Sequence, residues 1–231
     1  MMRGVLLIIG LWVAVMLTSC NKDPEPLSTV RFSVLGDSYS TYEGYVDPST
    51  NDVWLYLDSI GITSVEQLWW YQMKQTMGWE LEKNNAFSGS LISNMDFGGY
   101  YGPHSFLRRM DDLGNPDVIF VFGGINDVWS EVPIGDFVYD NWTEEELCMF
   151  RPALACLFHR LQRQYPGVQL YYMADDDLDK EYMESAHIIS SYYDVHCIDL
   201  HAIKKIWRHP NEEGMTSIAN QVLAFLLGNQ S

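Results

Sequence analysis

The sequence predicts a doubly wound α/β domain in which helices cover both faces of a five-stranded parallel β-sheet. Five short apolar runs, spaced along the chain after residue 29, indicate the strands. Stretches with helical features lie between these runs, and this alternation favours parallel pairing through right-handed crossovers. The third run is apolar at every position, which is typical of a central strand with helices on both faces.

The predicted strands are, in order, Val30–Leu35, Trp79–Lys83, Val118–Phe122, Val168–Met173 and Val195–Leu200. Each is bounded by polar, Gly or Pro residues. In such sheets ligands bind at the carboxyl ends of the strands, so functional residues are expected directly after each run.

The predicted helices have recognisable starting signals. Ser64-Val-Glu-Gln67 is a capping box, which opens a helix that carries Leu68, Trp69 and Met73. Thr143 and the three glutamates after it open another helix, in which Pro152 predicts a kink or a break. Two further helices are predicted, Leu178–Tyr192 and Glu213–Leu227.

Charge and composition exclude several classes of protein. The 231 residues include 14 basic and 31 acidic ones, for a net charge of −17. Such a surface repels phosphate backbones, so we expect no nucleic-acid partner. The chain also has 8 Trp and 14 Tyr, which serve either as core residues or as rigid, amphipathic binding surfaces.

The N-terminus has the order of a secretory signal. Arg3 precedes the apolar stretch Val5 to Leu17, which is shorter than the roughly 20 residues of a transmembrane helix. The following Leu-Thr-Ser-Cys20 resembles a bacterial lipobox, which implies cleavage before Cys20 and lipidation of its thiol. An ordinary signal peptide or an uncleaved anchor is the alternative.

We therefore expect residues 1–20 to be a lipoprotein signal peptide, residues 21–29 a polar tether, and residues 30–231 one folded domain. The protein is then an exported lipoprotein of the cell envelope. We expect it at the outer membrane, facing the periplasm or the surface, with membrane contact only through the lipid on Cys20.

The three other cysteines, Cys148, Cys156 and Cys197, imply no complete disulfide framework. Cys148 and Cys156 are expected to share a helix, on which eight residues span about 12 Å, too far for a bridge. Buried free thiols are predicted.

Chemically capable residues follow the strands. Ser38 comes directly after the first strand in Gly36-Asp37-Ser38, where the start of a helix could support a developing alkoxide; the same sequence is also a common turn and helix cap. Gly89 follows the second strand, Asn126 the third, and His209 precedes the last helix. An ester hydrolase needs a nucleophile, a base and donors for the oxyanion. Here the candidate nucleophile is Ser38 and the candidate base is His209. The candidate donors are the Ser38 N–H, the Gly89 N–H and the Asn126 side-chain amide.

These segments resemble the SGNH (GDSL-like) hydrolase superfamily over roughly residues 31–227. The matching blocks are Gly36-Asp37-Ser38, Ser88-Gly89, Gly124-x-Asn126-Asp127 and His209-Pro210-Asn211-x-x-Gly214. The resemblance implies a flavodoxin-like three-layer α/β/α sandwich over residues 30–231 and an esterase without a cofactor. It also implies that Ser38 is the nucleophile, Gly89 and Asn126 complete the oxyanion hole, and His209 is the base.

One position departs from the family pattern. The family usually has Asp three residues before the His, where this chain has Ile206. Either a backbone carbonyl orients His209 in a Ser–His dyad, or an acid from elsewhere reaches it, with Asp199 the nearest in sequence. Losing an orienting acid weakens catalysis without abolishing it. We expect a working dyad.

No metal site is predicted. The run Asp175-Asp176-Asp177-Leu178-Asp179 lacks the Gly and distal Glu of an EF-hand, and it precedes a helix, where Asp commonly caps. The remaining histidines show no zinc-ligand spacing.

Three aromatic segments follow strand ends, at residues 42–62, 96–104 and 128–142. Their aromatic side chains either contact substrate or pack onto the domain.

The leading hypothesis is a serine esterase acting on small acyl esters, acetyl esters of carbohydrates above all. The rivals are a longer-chain lipase or lysophospholipase, and a non-catalytic glycan-binding lipoprotein on a degenerate hydrolase scaffold.

Overall fold

The computed structural model describes residues 29–46, 57–97, 99 and 102–228. Its central sheet contains five parallel strands: β1 (Arg31–Gly36), β2 (Glu80–Ala86), β3 (Val118–Phe122), β4 (Gln169–Ala174) and β5 (His196–Asp199). Their spatial order is β2-β1-β3-β4-β5, the flavodoxin-like order. The predicted fold class is confirmed.

The helices are α1 (Trp69–Met77), α2 (Phe106–Arg109), α3 (Ile125–Trp129), α4 (Phe150–Gln164), α5 (Lys180–Tyr192) and α6 (Glu212–Gly228). Helix α1 packs against α6, and α4 packs against α5, which gives the two outer layers of the sandwich. Among the described residues, none of these helices combines the length and apolar character needed to cross a bilayer.

The centre of the core lies on β3, every residue of which is buried. The Trp69 ring packs edge-on against Phe120 and Phe122, with centroids 5.8 Å away in each case. The pattern of an all-apolar third strand therefore identified the middle of the sheet correctly. Packing holds such a strand in register, because a slip along its neighbours would misplace side chains on both of its buried faces.

The segment before α4 corrects one prediction. Thr143 and Glu146 cap each other, but the turn that they open is only a short 3-10 helix, Glu146–Cys148. Met149 is extended, and α4 begins at Phe150. Pro152 then falls in the first turn of α4, where its missing N–H costs no hydrogen bond. Cys148 and Cys156 consequently do not share a helix. Both are free thiols, as is Cys197, but only Cys156 is buried, so the prediction of buried thiols is wrong for Cys148 and Cys197, which are partly exposed.

A short antiparallel hairpin precedes α6 and was not predicted. Its strands are β6 (Lys205–Ile206) and β7 (His209–Pro210), and Ile206 pairs with His209. Strands of two residues carry almost no periodicity, so no sequence pattern predicts them. The hairpin matters because it carries His209 to the carboxyl end of the main sheet.

The predicted signal peptide, Cys20 and the tether up to residue 28 lie outside the described residues. The same holds for residues 47–56 of the first aromatic segment and for residues 98, 100 and 101 of the second.

Candidate active site

The candidate site lies where the strand order reverses. The chain passes from β1 to β2 on one side and returns to β3 on the other, so a crevice opens at the carboxyl ends of β1 and β3. Ser38 lies two residues after β1, and Asn126 lies in the first turn of α3, directly after β3. The crevice therefore receives side chains from separate parts of the chain.

Ser38 and His209 form a hydrogen-bonded pair. The Ser38 hydroxyl lies 3.0 Å from His209 Nε2, although 171 residues separate the two in sequence. On the other side of the ring, Nδ1 lies 3.0 Å from the carbonyl oxygen of Trp207. A carbonyl can only accept, so Nδ1 carries the proton of the neutral ring, and Nε2 is left with a lone pair for the serine proton.

Burial lowers the pKa of His209 below its ordinary 6.5; the hydrogen bond to the Trp207 carbonyl raises it, and the charge of Lys205 lowers it further. The imidazole is consequently neutral at pH 7, which is the state that a general base requires.

Asp199 does not take the place of the missing acid. Its carboxylate lies 2.7 Å from His187 Nε2 and 3.7 Å from Cys197 Sγ, at the edge strand β5. The acceptor for His209 Nδ1 is instead the carbonyl oxygen of Trp207, two residues earlier in the chain. This corrects the suggestion of Asp199 as an orienting acid and supports the other alternative, a dyad oriented by the main chain.

The hairpin holds this carbonyl through an unusual turn. Trp207 and Arg208 connect β6 to β7 with φ of 54° and 68°, the left-handed region in which type I′ turns place both central residues. For residues other than Gly, Asn and Asp this conformation costs about 1–2 kcal/mol each. The surrounding contacts fix it, including a hydrogen bond from the Tyr39 hydroxyl to the Arg208 carbonyl.

Lys205 anchors the hairpin to the end of β4. Its ammonium group lies 2.6 Å from Asp175, 2.8 Å from Asp176 and 2.8 Å from Asp177. The acidic run that resembles a cation-binding loop thus has the cation of a lysine at its centre. The Asp175 side chain is almost fully buried, so this ion pair is largely shielded from water.

Two backbone N–H groups are available for an oxyanion. Within the described residues, the N–H groups of Ser38 and Gly89 have no hydrogen-bond acceptor. Gly89 has a φ of +77°, a conformation that glycine adopts without strain. Backbone donors with no partner, close to a nucleophile, are the groups that an oxyanion hole requires.

The Asn126 amide lies at the same place but is engaged. Its Nδ2 donates to Asp37 Oδ2 at 3.1 Å and to the Ser90 carbonyl at 3.2 Å. These contacts hold it between the neighbours of Ser38 and of Gly89. The structure therefore brings Ser38, Gly89, Asn126 and His209 together, with both hydrogens of the Asn126 amide directed at protein oxygens.

Asp37 links the nucleophile turn to Asn126. Its second carboxylate oxygen accepts the Tyr39 N–H at 3.0 Å. Burial raises its pKa to about 7; the Tyr39 N–H and the charge of Arg109 lower it, and Asp175 and Asp127 raise it. A full charge on Asp37 is thus costly, and its role is to hold the turn through these two hydrogen bonds.

Asp127 fixes the loop after Gly89. Its carboxylate accepts the backbone N–H groups of Ile92 at 2.8 Å and Ser93 at 3.1 Å. Burial raises its pKa to about 6, against these hydrogen bonds, which lower it.

Arg109 is a supporting residue that sequence reasoning missed. Its buried guanidinium donates to the carbonyls of Gly36, Asn85 and His104 and to the Ser90 hydroxyl. It thereby ties the ends of β1 and β2 to the Gly89 loop. Burial lowers its pKa to about 9, and the charge of Asp37 raises it. Nothing in the sequence around Arg109 marks it, because its partners are mostly main-chain carbonyls, which every residue has.

The aromatic segments divide between the site and the rest of the domain. The Trp129 ring lies 6.1 Å from the His209 ring, and the Tyr39 ring 5.5 Å from it. Phe137 and Tyr139 instead stack in a group with Tyr192 on α5. Only Trp129 of the third segment therefore lines the catalytic histidine.

Two groups of side chains in the described residues could hold a metal ion. One is the Asp175, Asp176 and Asp177 cluster, which contacts Lys205; the other is His187, Cys197 and Asp199 on the sheet edge. Neither group contributes an atom to the Ser38–His209 pair.

The hydrogen bond between the Ser38 hydroxyl and a neutral imidazole is the contact that nucleophilic ester hydrolysis requires. Residues 30–226 match the family of GDSL-like lipases/acylhydrolases. The chain belongs to this family and is an SGNH-type ester hydrolase, as its four sequence blocks indicated.

Solved structures agree with this assignment. The chain is 41% identical to a protein of Bacteroides ovatus described as a GDSL-like lipase, with a TM-score of 0.84; the match covers 87% of this chain and all (100%) of that one. A similar protein of Bacteroides uniformis is 38% identical, with a TM-score of 0.82, and the match covers 87% and 96% of the two chains. A comparison with curated proteins finds no match.

A more distant likeness shows the fold alone. An acetyl xylan esterase of Butyrivibrio proteoclasticus is 16% identical, with a TM-score of 0.58, and the match covers 89% of this chain and 65% of that one.

Proposed function

We propose that this protein is an exported, lipid-anchored serine esterase that removes small acyl groups, acetyl in the first place, from esters of carbohydrates. The observation that carries the esterase mechanism is the 3.0 Å contact between Ser38 Oγ and an Nε2 whose ring is held by the Trp207 carbonyl. The carbohydrate part is supported by the aromatic and polar groups around this pair.

In the first half-reaction, Ser38 Oγ attacks the ester carbonyl carbon while its proton passes to His209 Nε2. The carbonyl oxygen becomes an oxyanion, which accepts hydrogen bonds from the Ser38 and Gly89 N–H groups. The imidazolium, still donating from Nδ1 to Trp207, then gives its proton to the leaving alcohol oxygen. The C–O bond breaks, and an acyl-Ser38 ester remains.

In the second half-reaction, water attacks the acyl carbon, and His209 takes the water proton. Collapse of the second tetrahedral intermediate returns that proton to Ser38 Oγ and releases the carboxylic acid. Asn126 can join the oxyanion hole if one of its two hydrogens turns from Asp37 or Ser90 to the substrate oxygen.

The groups near His209 favour a polar alcohol. The half-buried Trp129 ring lies beside the imidazole, and the Arg208 guanidinium lies 5.2 Å over that ring, whereas the Tyr39 ring on the His209 imidazole is fully buried. Flat rings rimmed by donors suit a sugar, which has an apolar C–H face and a hydroxyl edge. The fold likeness to an acetyl xylan esterase makes acetylated xylo-oligosaccharides the first natural-type substrates to test.

The first test is hydrolysis of 4-nitrophenyl acetate, butyrate and octanoate by the purified protein and by its Ser38→Ala variant. We expect acetate to be the best substrate, and the variant to lose at least about 10³-fold in kcat because the nucleophile is gone. Equal activity of the two proteins would remove Ser38 from the mechanism.

The same series separates the rivals. Preference for octanoate would favour a lipase or lysophospholipase. Absence of turnover on every ester, with binding of xylo-oligosaccharides intact in both proteins, would favour a glycan-binding protein. The sole support for that reading was the missing acid at Ile206, and the Trp207 carbonyl supplies an acceptor without it.

The lipid anchor has a separate test. Cells grown with labelled palmitate should yield a labelled protein in the membrane fraction, and Cys20→Ala should abolish both the label and the membrane association. A Cys148→Ala variant is the matched control. Retention of label in Cys20→Ala would contradict lipidation at that residue.

A further inference from the structure

The turn that orients His209 carries two large side chains in a conformation that disfavours them. Trp207 and Arg208 both have positive φ, although the chain has 17 glycines elsewhere and asparagine also adopts this conformation. Strain of this kind persists in proteins mainly at functional sites. The side chains at these two positions therefore need an explanation of their own.

The main-chain roles of the turn do not require those side chains. The Trp207 carbonyl accepts from His209, and the Arg208 carbonyl accepts from the Tyr39 hydroxyl. Asn-Gly would provide the same two carbonyls in the same type of turn with less strain. What Trp and Arg add is an exposed indole and a guanidinium on the two residues that directly precede His209.

Folding does not account for the indole either. Trp207 is 84% exposed, against 60% for Tyr192, which stacks on Tyr139. Within the described part of the chain, the Trp207 ring makes no hydrogen bond and no contact with another aromatic ring. The Trp207 indole is thus a large apolar surface exposed to water, on a strained residue whose carbonyl contacts His209. Such a surface is suited to binding a ligand.

We propose that Trp207 is a specificity-determining residue whose indole stacks on a sugar ring in the alcohol part of the ester, next to the ester bond. This deepens the proposed function and rests on it. An indole open to solvent suits a ring with one apolar face and a wet rim. A long acyl chain needs an enclosed channel instead. The Arg208 guanidinium, which lies over the Trp129 ring, supplies hydrogen-bond donors for the hydroxyl groups at the edge of such a sugar.

The test compares Trp207→Asn and Trp207→Phe with the parent protein on two substrates, acetylated xylo-oligosaccharides and 4-nitrophenyl acetate. We expect Trp207→Asn to raise KM for the oligosaccharide about tenfold more than for the small ester, because stacking is lost. Trp207→Phe should keep most of the affinity. Tyr192→Asn, an exposed aromatic on α5, is the matched control and should leave the ratio of the two KM values unchanged.

Thermal unfolding gives a second readout, because the melting temperature of Trp207→Asn is expected not to fall when its affinity for the oligosaccharide does. Because Asn tolerates the turn conformation, Trp207→Asn should melt at or above the temperature of the parent while it binds the oligosaccharide less well. A purely structural role for Trp207 predicts a lower Tm. Equal effects on both substrates, or a selective loss of octanoate hydrolysis, would overturn the proposal.

Failure of the proposal is distinguishable from failure of the esterase assignment. Binding of deacetylated xylo-oligosaccharides to Ser38→Ala needs no turnover, and adding Trp207→Asn should weaken it about tenfold. Unchanged binding in that double variant would contradict the sugar platform, whereas an inactive parent protein would contradict the esterase.

Discussion

At the scale of single residues, the main feature is a histidine held by a main-chain carbonyl. A carboxylate partner would stabilise the imidazolium and raise its pKa; a carbonyl does so less, and burial has the larger effect here. His209 therefore stays unprotonated to a lower pH than a free histidine. Because its pKa is lowered, His209 becomes protonated, and so unable to act as a base, only under acidic conditions.

This predicts the pH profile of the enzyme. The acid limb of kcat/KM for 4-nitrophenyl acetate should have its midpoint below 6.5, because the base is neutral above its lowered pKa. The measurement is kcat/KM between pH 4 and 8, with the Tyr192→Asn variant as a control of unchanged midpoint. A midpoint above 7 would show that a carboxylate, and not the Trp207 carbonyl, dominates the environment of His209.

Restoring the usual acid gives a related prediction. Ile206 pairs across the hairpin with His209, so a carboxylate in Ile206→Asp lies next to the imidazole. We expect the acid limb to move to higher pH, and kcat to change by less than about tenfold, because Nδ1 already has an acceptor. Ile206→Asn, which adds no charge, should leave the limb in place. A large gain in kcat would mean that the carbonyl is a poor substitute.

The residues that meet in the crevice were predicted from the sequence, whereas most of those that hold them in place were not. Ser38, Gly89, Asn126 and His209 follow strand ends or precede a helix, where local patterns are informative. A backbone carbonyl was one of the two alternatives for the group that orients His209, but its residue could not be predicted because every residue has a carbonyl. Arg109 was missed because three of its four acceptors lie 19 or more residues away in sequence.

At the scale of elements, the hairpin depends on one buried ion pair. Lys205 reaches the three aspartates after β4, and its side chain is only 10% exposed. The attachment fixes the hairpin, and with it His209, to the sheet.

Lys205→Met should destabilise the protein by about 3 kcal/mol, because it leaves Asp175 buried without a cation. Such a loss corresponds to a Tm lower by about 6–12 °C, and kcat should fall because the hairpin is less firmly held. Lys204→Met, next to it but exposed, is the matched control. The deficit should shrink as the pH falls, because burial raises the pKa of Asp175 and its carboxyl group can then take up a proton. A deficit independent of pH would point to lost packing alone.

The strands of the sheet were predicted to within a few residues because most of them are short apolar runs that are buried along nearly their whole length. The first turn of α4 was misplaced because Thr143 and Glu146 satisfy each other locally without a helix to continue. A capping motif indicates only that a first helical turn forms. Whether a second turn follows depends on tertiary packing.

At the scale of the whole molecule, burial of acids near the crevice sets the pH dependence of stability. The folded pKa of Asp37 is about 7 and that of Asp127 about 6, both above the ordinary 3.8. Between about pH 4 and 7 the folded state therefore binds more protons than the unfolded state, and stability must fall as pH rises through this window. His209, with a lowered pKa, acts in the opposite direction below 6.5, but Asp175, whose pKa is also raised by burial, adds to the effect of Asp37 and Asp127.

We expect the Tm to be higher at pH 5 than at pH 8, since repulsion within a chain of charge −17 adds to the same trend. Asp127→Asn, which removes one of the three buried acids, should make the curve flatter. Thermal melts across this pH range test the prediction. A Tm that rises steadily from pH 5 to 8 in the parent protein would contradict it.

A main-chain acceptor for the catalytic histidine has a consequence for how such enzymes vary over evolution. No side-chain replacement at position 206 or 207 can delete a carbonyl, so both positions are released from the constraint that an acidic partner imposes. Natural variants can change the residue beside the base, and thus the substrate preference, in single steps without passing through an inactive form. Classification schemes that require an acid three positions before the histidine would assign active members of this kind to the dead enzymes.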